Sequence, residues 1–373
     1  MMHRVHIQPH WQIERPPGSA YDTHALLGLL ERVQQHASIA QAARALGLSY
    51  RHAWGMVRQA EAHLGARLLE TRRGRGAALT RLAQALLWAD RRIAARLAPT
   101  LQSLASELAG ELDRLAEQSL SDARPTLRLR ASHGFAVAAL LEQMAAEQRP
   151  VELSYRSSSE ALASLARRDC DMAGFHVPLG RFEAAALAHY ARWLDPTRHV
   201  LLHLAIRSEG LFVAPGNPKD ITGLADLARP QVRFVNRQHG SGTRMLIDLM
   251  LDEARLARGR IRGYDTSELT HAAVAAHVAS GMADAGIGVE LAARRFGLEF
   301  VPLARERYFF AVERDVLGGS PLREVAAILR SDAFRARVDA LEGYDATETG
   351  RLQTPSEAFD SAASVFRSLQ QTV

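Results

Sequence analysis

The sequence predicts two classes of structure in one chain: an α+β segment of short helices and a hairpin running into a long helix, then an α/β domain. Three observations predict it. Apolar residues between 22 and 64 recur at helical spacing and stop at glycines. No strand signal interrupts the stretch from Thr80 to about Gln118. From Thr126 onward, strand-like and helix-like segments alternate, the pattern of a sheet with crossover helices.

Residues 22–36, DTHALLGLLERVQQH, form the first amphipathic segment. SIAQAARALGLS follows, with Ser38 as N-cap and Gly47 at its stop. YRHAWGMVRQAEAHLG gives a third helix that ends near Gly65. Two helices joined through a tight turn at Gly47-Leu48 give a helix-turn-helix outline, although alanine-rich helices around a glycine turn also build ordinary three-helix units. ARLLETRRGRGAALT then predicts two short strands about a basic tip, Arg72, Arg73, Gly74, Arg75 and Gly76. Directly after a helix-turn-helix, such a wing presents guanidinium groups to phosphates or to the minor groove. A solvated charge run is the plainer account.

Leu97, Leu101, Leu104, Leu108, Leu112 and Leu115 recur at three- and four-residue steps, which makes a narrow apolar seam on the long helix. Pairing two copies would bury that seam. Pro99 predicts a kink or a break. SDARP, residues 121–125, reads as a linker. Beyond it TLRLRAS, VELSYR and DMAGFHV alternate with GFAVAALLEQMAAEQ and SSEALASLARRD, predicting a largely parallel sheet. GLFVAPGN, RFVNRQHGSGTRMLIDLML and THAAVAAHVASG followed by DAGIGV continue the alternation, and residues from about 320 to 373 are expected to finish as helices.

The composition, 47% hydrophobic and 23% charged over 373 residues, is that of a chain with real cores and room for two domains. No apolar run reaches the roughly 18 residues that suggest a membrane span, and residues 1–17 lack a signal-peptide core. One cysteine, Cys170, excludes an internal disulfide framework and suits a small core residue in a cytoplasmic protein. Residues 1–120 hold 15 arginines against 10 carboxylates, while the remainder holds 31 of each sign. The positive excess therefore lies in the first third, as a polyanion-binding module would require.

SYRHAW (49–54), with ALTRLAQALL after a basic glycine-containing wing, resembles the winged helix-turn-helix of the ModE and LysR regulators over roughly residues 20–95. The Ser-Tyr-x-x-Ala-Trp run is its most ModE-like part. The resemblance implies that Ser49, Tyr50, Arg51 and His52 open the recognition helix, the end that enters the major groove, with Arg58 on a phosphate. Arg72, Arg73 and Arg75 belong to the wing, and Trp54 to the core. Residues about 124–345 resemble a type II periplasmic-binding-protein-like domain of the molybdate-binding kind, on NRQHGSGTR (236–244), HAAVAAHVASGMADAGIG (271–288) and the tail GYDATETG (343–350). The implied organisation is a winged domain at 1–80, a linker and dimerisation helix at 81–120, and a two-lobed effector domain at 121–373 with its second lobe at about 207–298.

An anion site follows from the residues as well. Strands leading to Ser132, to Ser157-Ser158-Ser159 and to Gly240-Ser241-Gly242-Thr243 each turn into a helix, whose N-terminus offers unpaired N–H groups and partial positive charge. Ordinary N-caps look the same one at a time; three converging on a cleft at strand ends would hold a tetrahedral oxyanion. Ser132, Ser158 or Ser159, and Thr243 match the hydroxyl-bearing strand ends of molybdate-binding relatives, and Thr270 adds a backbone N–H. Arg237 and Arg244 offer a bidentate clamp or are surface arginines. Such relatives carry a tyrosine just after the strand that here reads AGIGVE, where this chain has Gly288 and Val289. That departure is expected to leave space for a larger ligand.

GSGT lacks the spacing of a phosphate-binding loop of the Walker kind, the histidines have no metal-ligand spacing, and no nucleophile–base–orienter set stands out. No metal and no cofactor are expected. The resemblance implies a cytoplasmic, ligand-responsive transcription regulator, not an enzyme and not membrane-bound. It would bind a double-stranded DNA operator as a homodimer or dimer of dimers. Its small anionic effector would be molybdate, tungstate or a molybdopterin-type compound, with target genes in molybdenum or tungsten metabolism. Two other readings stay open: a LysR-type regulator answering to a small carboxylate such as formate, and an enzyme that binds a molybdenum-cofactor precursor.

Overall fold

The computed structural model describes residues 3–14, 20–72, 76–117, 126–362 and 364–366. The chain divides into two compact units, Gln8–Leu97 and Met1–Ile7 with Ala98–Val373. We call them the helical unit and the sheet unit.

In the helical unit β1 (Gln12–Ile13) pairs antiparallel with β2 (Tyr21–Asp22), followed by α1 (His24–His36), α2 (Ile39–Ala45) and α3 (Tyr50–Leu64). The caps at Ser38 and Gly65 are those the sequence predicts, and Ser49 adds one that it does not single out. Ser38 Oγ accepts from the Gln41 N–H, Ser49 Oγ from the His52 N–H, and Gly65 ends α3 in the left-handed region. Leu26, Leu29, Leu30, Val33, Ala42, Ala53, Val57 and Ala60 form one core, with Trp54 half-buried against it. β3 (Leu69–Arg72) and β4 (Gly76–Leu79) make the hairpin, in register from Leu69–Leu79 to Arg72–Gly76. Gly76 has φ +79°, and a Cβ there would stand 2.1 Å from the carbonyl oxygen of Ala37. Only glycine lets the hairpin approach the end of α1 so closely, which the hydrogen bond from Ala77 N to Ala37 O (2.8 Å) requires.

α4 (Arg81–Glu117) runs without a break through Pro99 and passes from one unit to the other. The division between the units therefore falls within the residues of this helix, at Leu97 and Ala98, whereas the sequence places boundaries at 80 and 120. The SDARP segment lies outside the described residues.

The sheet unit continues with β5 (Leu127–Ala131), α5 (Phe135–Ala146), β6 (Val151–Tyr155), α6 (Ser158–Ala166), β7 (Met172–Pro178) and α7 (Glu183–Tyr190). Then come β8 (His199–Val213), β9 (Phe234–Arg237), α8 (Gly242–Glu253), β10 (Ser267–Glu268), α9 (His271–Ala279), β11 (Ala285–Val289), α10 (Glu290–Arg295) and β12 (Glu299–Glu313). α11 (Ser320–Arg330), α12 (Asp332–Asp339), β13 (Tyr344–Asp345), β14 (Leu352–Gln353) and α13 (Pro355–Ala358) close the chain.

The sheet order is β10-β9-β11-β8-β12-β7-β5-β6. It is mixed rather than largely parallel, which corrects the sequence-based expectation. β5 pairs parallel with β6 and β7, and β9 with β10 and β11; between these groups β8 and β12 run antiparallel to each other and to their neighbours. Each of these two strands has 15 residues and passes through both lobes. Most of β8 and all of β12 are missed in the sequence; β8 is buried on both faces, so no period of two marks it. The tail is not wholly helical either: β13 and β14 add to β8, and Thr349 Oγ1 donates to the Leu204 carbonyl at 2.7 Å.

Candidate effector cavity and nucleic-acid interface

On α3, Ser49, Tyr50, Arg51 and His52 are all exposed at the first turn, Tyr50 at 56%. The Ser49 hydroxyl oxygen caps the helix, leaving its O–H free to donate outward. One turn on, the Arg58 guanidinium lies 5.3 Å from the Trp54 ring centroid, a stacking that holds the exposed cation along the helix. Tyr50, Arg51 and Arg58 are thus solvent-facing donors on a helix whose opposite face is core. Arg73 and Arg75, and the side chain of Arg72, lie outside the described residues.

In the sheet unit a cavity of about 610 Å³ opens between the lobes. Its lining includes Ser132, His133, Tyr155, Ser157 and Glu160 from the first lobe, and Arg237, Gln238, Ser241 and Leu269 from the second. Strand ends and helix starts converge here, and Ser132 and Ser241 line the cavity as expected, whereas Ser157 stands there in place of Ser158 or Ser159, and Thr243 and Thr270 are not in the lining.

At the start of α6 the N-cap and cavity-lining residue is Ser157, in a capping box with Glu160. Ser158 is fully buried with Oγ 3.2 Å from His176 Nδ1, and Ser159 Oγ faces His189 Nε2 at 3.1 Å on the exposed side. Three adjacent serines point three ways around a helix turn, so the identity of the N-cap decides which one meets the cavity. Ser241 caps α8, accepting from Arg244 N at 3.2 Å and donating to Gln238 O at 2.9 Å. Gly242 packs beside His176, where a Cβ would come within 2.9 Å of the histidine Cβ. Thr243 turns away, its hydroxyl donating to Glu209 Oε1 at 3.0 Å. Thr270 caps α9 by accepting from Ala273 N and is fully buried.

Gly288 corrects a further expectation. A Cβ there would stand 2.6 Å from His271 Nδ1 and 2.7 Å from Phe212 Cζ, so protein fills the space left without a tyrosine. No room for a larger ligand opens at that position.

The two arginines separate cleanly. Arg244 is committed inside its lobe, with Nε 3.2 Å from Asp248 Oδ2 and its guanidinium 4.2 Å from the Tyr264 ring centroid. Arg237 lines the cavity, is 3% exposed, and donates from one terminal nitrogen to the Glu268 carbonyl at 3.0 Å. Its Nε has no hydrogen-bond partner, and no carboxylate forms an ion pair with it among the described residues. Burial brings this guanidinium down to about 10, with Glu209 opposing and Arg207 adding to the fall. The same cation, after burial itself, holds His133 down at about 4. Glu306 and Glu268 also oppose the fall, but a buried cation without a direct ion pair is costly, and an anionic ligand would supply one.

Behind the cavity, Arg207 donates to Glu306 Oε1 at 2.7 Å and to Glu209 Oε1 at 3.1 Å. Arg207 and Glu209 lie on β8 and Glu306 on β12, so this buried triad sits on the strands that join the lobes. Burial and then Glu306 push the Glu209 carboxyl well above its usual range, with Arg207 and Thr243 acting against. Sequence reasoning missed Arg207, Glu209 and Glu306, whose only signal is charge inside an apolar strand. Among the described residues no cluster suits a metal ion and no helix is long and apolar enough to cross a membrane.

Comparison with known proteins agrees with this division. A family described as "Bacterial regulatory helix-turn-helix protein, lysR family" matches residues 24–84, and one described as "PBP superfamily domain" matches residues 141–330. The Bacillus subtilis (strain 168) protein YvgK is 33% identical over 201 residues, which are 53% of this chain and 64% of YvgK, so the chain spans less than two thirds of that relative. A Clostridium pasteurianum protein from the 5′ region of the ferredoxin 2Fe-2S gene is 34% identical over 95 residues, 25% of this chain and 84% of that protein. Among solved structures, Corynebacterium glutamicum OxyR is 17% identical with TM-score 0.41, over 85% of this chain and 93% of its own. Full-length BenM is 15% identical with TM-score 0.41, over 84% and 96%.

Proposed function

The chain belongs to the PBP superfamily, and on that premise we propose that it is a ligand-responsive, DNA-binding transcription regulator of the LysR type whose effector is a small anion. Support for the DNA half comes from the exposed Tyr50, Arg51, His52 and Arg58 at and beyond the start of α3, and from the excess of arginine over carboxylate in the first 120 residues. Phosphate contacts would supply affinity, and the first turn of α3 sequence choice.

The observation that carries the effector half is Arg237, a buried guanidinium with its Nε unpartnered and no direct ion pair among the described residues, which lines a cavity also lined by Ser132, Ser157 and Ser241. Effector and operator would then alter each other's affinity by the same factor, since coupling between sites is reciprocal. A cavity of about 610 Å³ lies within the range of small-molecule sites, roughly 300–1,000 Å³, and exceeds what a bare tetrahedral oxyanion fills. Within the anion class this favours a molybdopterin-type compound or another organic anion over free molybdate, tungstate or formate.

Calorimetric titration of the full chain with molybdate, tungstate, phosphate and formate tests the anion. Heat with at least one is expected, and Arg237→Gln should weaken that binding by about tenfold or more, the value of a charge-assisted hydrogen bond. Unchanged affinity for every anion in Arg237→Gln would remove Arg237 as the anion's partner.

A further inference from the structure

The effector cavity has one wall that belongs to neither lobe. Thr100, Ser103, Leu104, Glu107 and Glu111, all from the second half of α4, line it. At 3.6 residues per turn these positions fall on one stripe of the helix. The leucine seam is the neighbouring stripe, and Leu104 belongs to both; it is 48% exposed.

The wall is fastened by specific hydrogen bonds. Ser103 Oγ accepts from Tyr155 N at 2.9 Å, and Ser106 Oγ accepts from Leu153 N at 2.8 Å. Leu153 and Tyr155 are alternate residues of β6, the strand at the end of the sheet, so their N–H groups are those that an open edge leaves unpaired. Two serines one helical turn apart satisfy both. The N-terminal residues add a second fastening: His3 Nδ1 lies 2.7 Å from Asp113 Oδ1 on α4, and Arg4 donates to the Ala145 carbonyl of α5 at 2.8 Å.

The same cavity is lined by Arg237, nine-tenths buried with its Nε unpartnered. We propose that α4 completes the effector site and that the effector is an organic anion. Its carboxylate or phosphate meets Arg237, and an amino- or amide-bearing body meets Leu104 and Glu107 on α4. The inference rests on the reading of Arg237 given above. It puts the regulatory signal on the helix itself, because a ligand touching Leu104 touches the seam that faces solvent on the same helix.

Titration of the full chain with a pterin carboxylate, adenosine monophosphate and guanosine monophosphate, alongside phosphate, molybdate and formate, tests it. At least one organic anion should bind at least about tenfold tighter than every bare anion. Leu104→Ala and Glu107→Gln, both at exposed positions, should each reduce that advantage several-fold and leave phosphate binding unchanged, while Arg237→Gln weakens both. Bare anions that bind as tightly as the organic ones overturn the α4 wall and leave the anion reading standing. So does an organic anion whose affinity ignores both α4 variants. Silence with every anion removes the anion reading, and the wall with it.

Discussion

The two units use arginine in opposite ways. On α3, Arg51 is exposed and the Arg58 side chain is 66% exposed, with Glu61 only at 4.0 Å. In the sheet unit Arg207, Arg237 and Arg244 are 2–3% exposed. An exposed guanidinium costs little to place and acts when a polyanion comes within a screening length of about 10 Å. A buried one has given up its hydration and needs compensation on the spot. Arg207 has Glu306 and Glu209, and Arg244 has Asp248; Arg237 has one carbonyl oxygen. On the surface, then, function is read from how many cations a face collects, and in the interior from which cation lacks its partner.

The largest expected effect breaks the compensated case. Arg207→Ala strands two carboxyls on the strands that join the lobes and should destabilise the sheet unit by about 3–5 kcal/mol in urea denaturation. A loss below about 1 kcal/mol would mean that the carboxyl pair settles by taking up protons, making Arg207 no more than a packing residue.

Acid should sharpen the contrast next. Burial, and then Arg307, lowers His203 to about 3, and His133 stands at about 4. Both are depressed below the ordinary 6.5, so the folded state holds fewer protons than the unfolded one below that value. Their contribution is complete above about pH 6.5 and is lost as pH falls toward 4, by up to about 1.4 kcal/mol per pH unit for each histidine. Urea midpoints measured at about pH 7, 6 and 5 report it; a flat profile, or a slope unaltered in His203→Gln, contradicts the assignment.

The smallest effects belong to the exposed arginines. Arg51→Ala should weaken operator binding by roughly 1–3 kcal/mol and relax sequence preference. Equal losses on operator and random DNA make it a phosphate contact instead. For the wing, Arg73→Ala should lower affinity about uniformly and reduce the salt slope by about one; an unchanged slope takes the wing out of the interface.

Much of the helical unit was legible residue by residue. Ser38 as a cap, Gly65 as a stop and the hairpin about Gly76 follow from local backbone chemistry, and short-range rules see such features. The cavity was legible only in outline. That strand ends lead to hydroxyl-bearing helix starts is visible in the chain. Which of Ser157, Ser158 and Ser159 faces the cavity depends on one turn of helix register, and Arg237 ends β9 while Arg244 stands in the first turn of α8, with nothing in the local pattern to say which one lines the cavity.

The sequence by itself determined the three helices and hairpin of the helical unit, the caps at Ser38 and Gly65, the basic first third and the apolar seam on α4, because each depends on neighbours within a few residues. The tertiary structure decided that β8 and β12 run through both lobes, that His271 and Phe212 fill the space above Gly288, and that Ser103 and Ser106 fasten α4 to the edge of the sheet. It also decided that Arg237 is buried with one carbonyl oxygen as its hydrogen-bond partner and no direct ion pair among the described residues, for a reason no local pattern contains. Desolvation and counter-charge are properties of the assembled surroundings, set by groups as far along the chain as Glu209, Arg207 and Glu306.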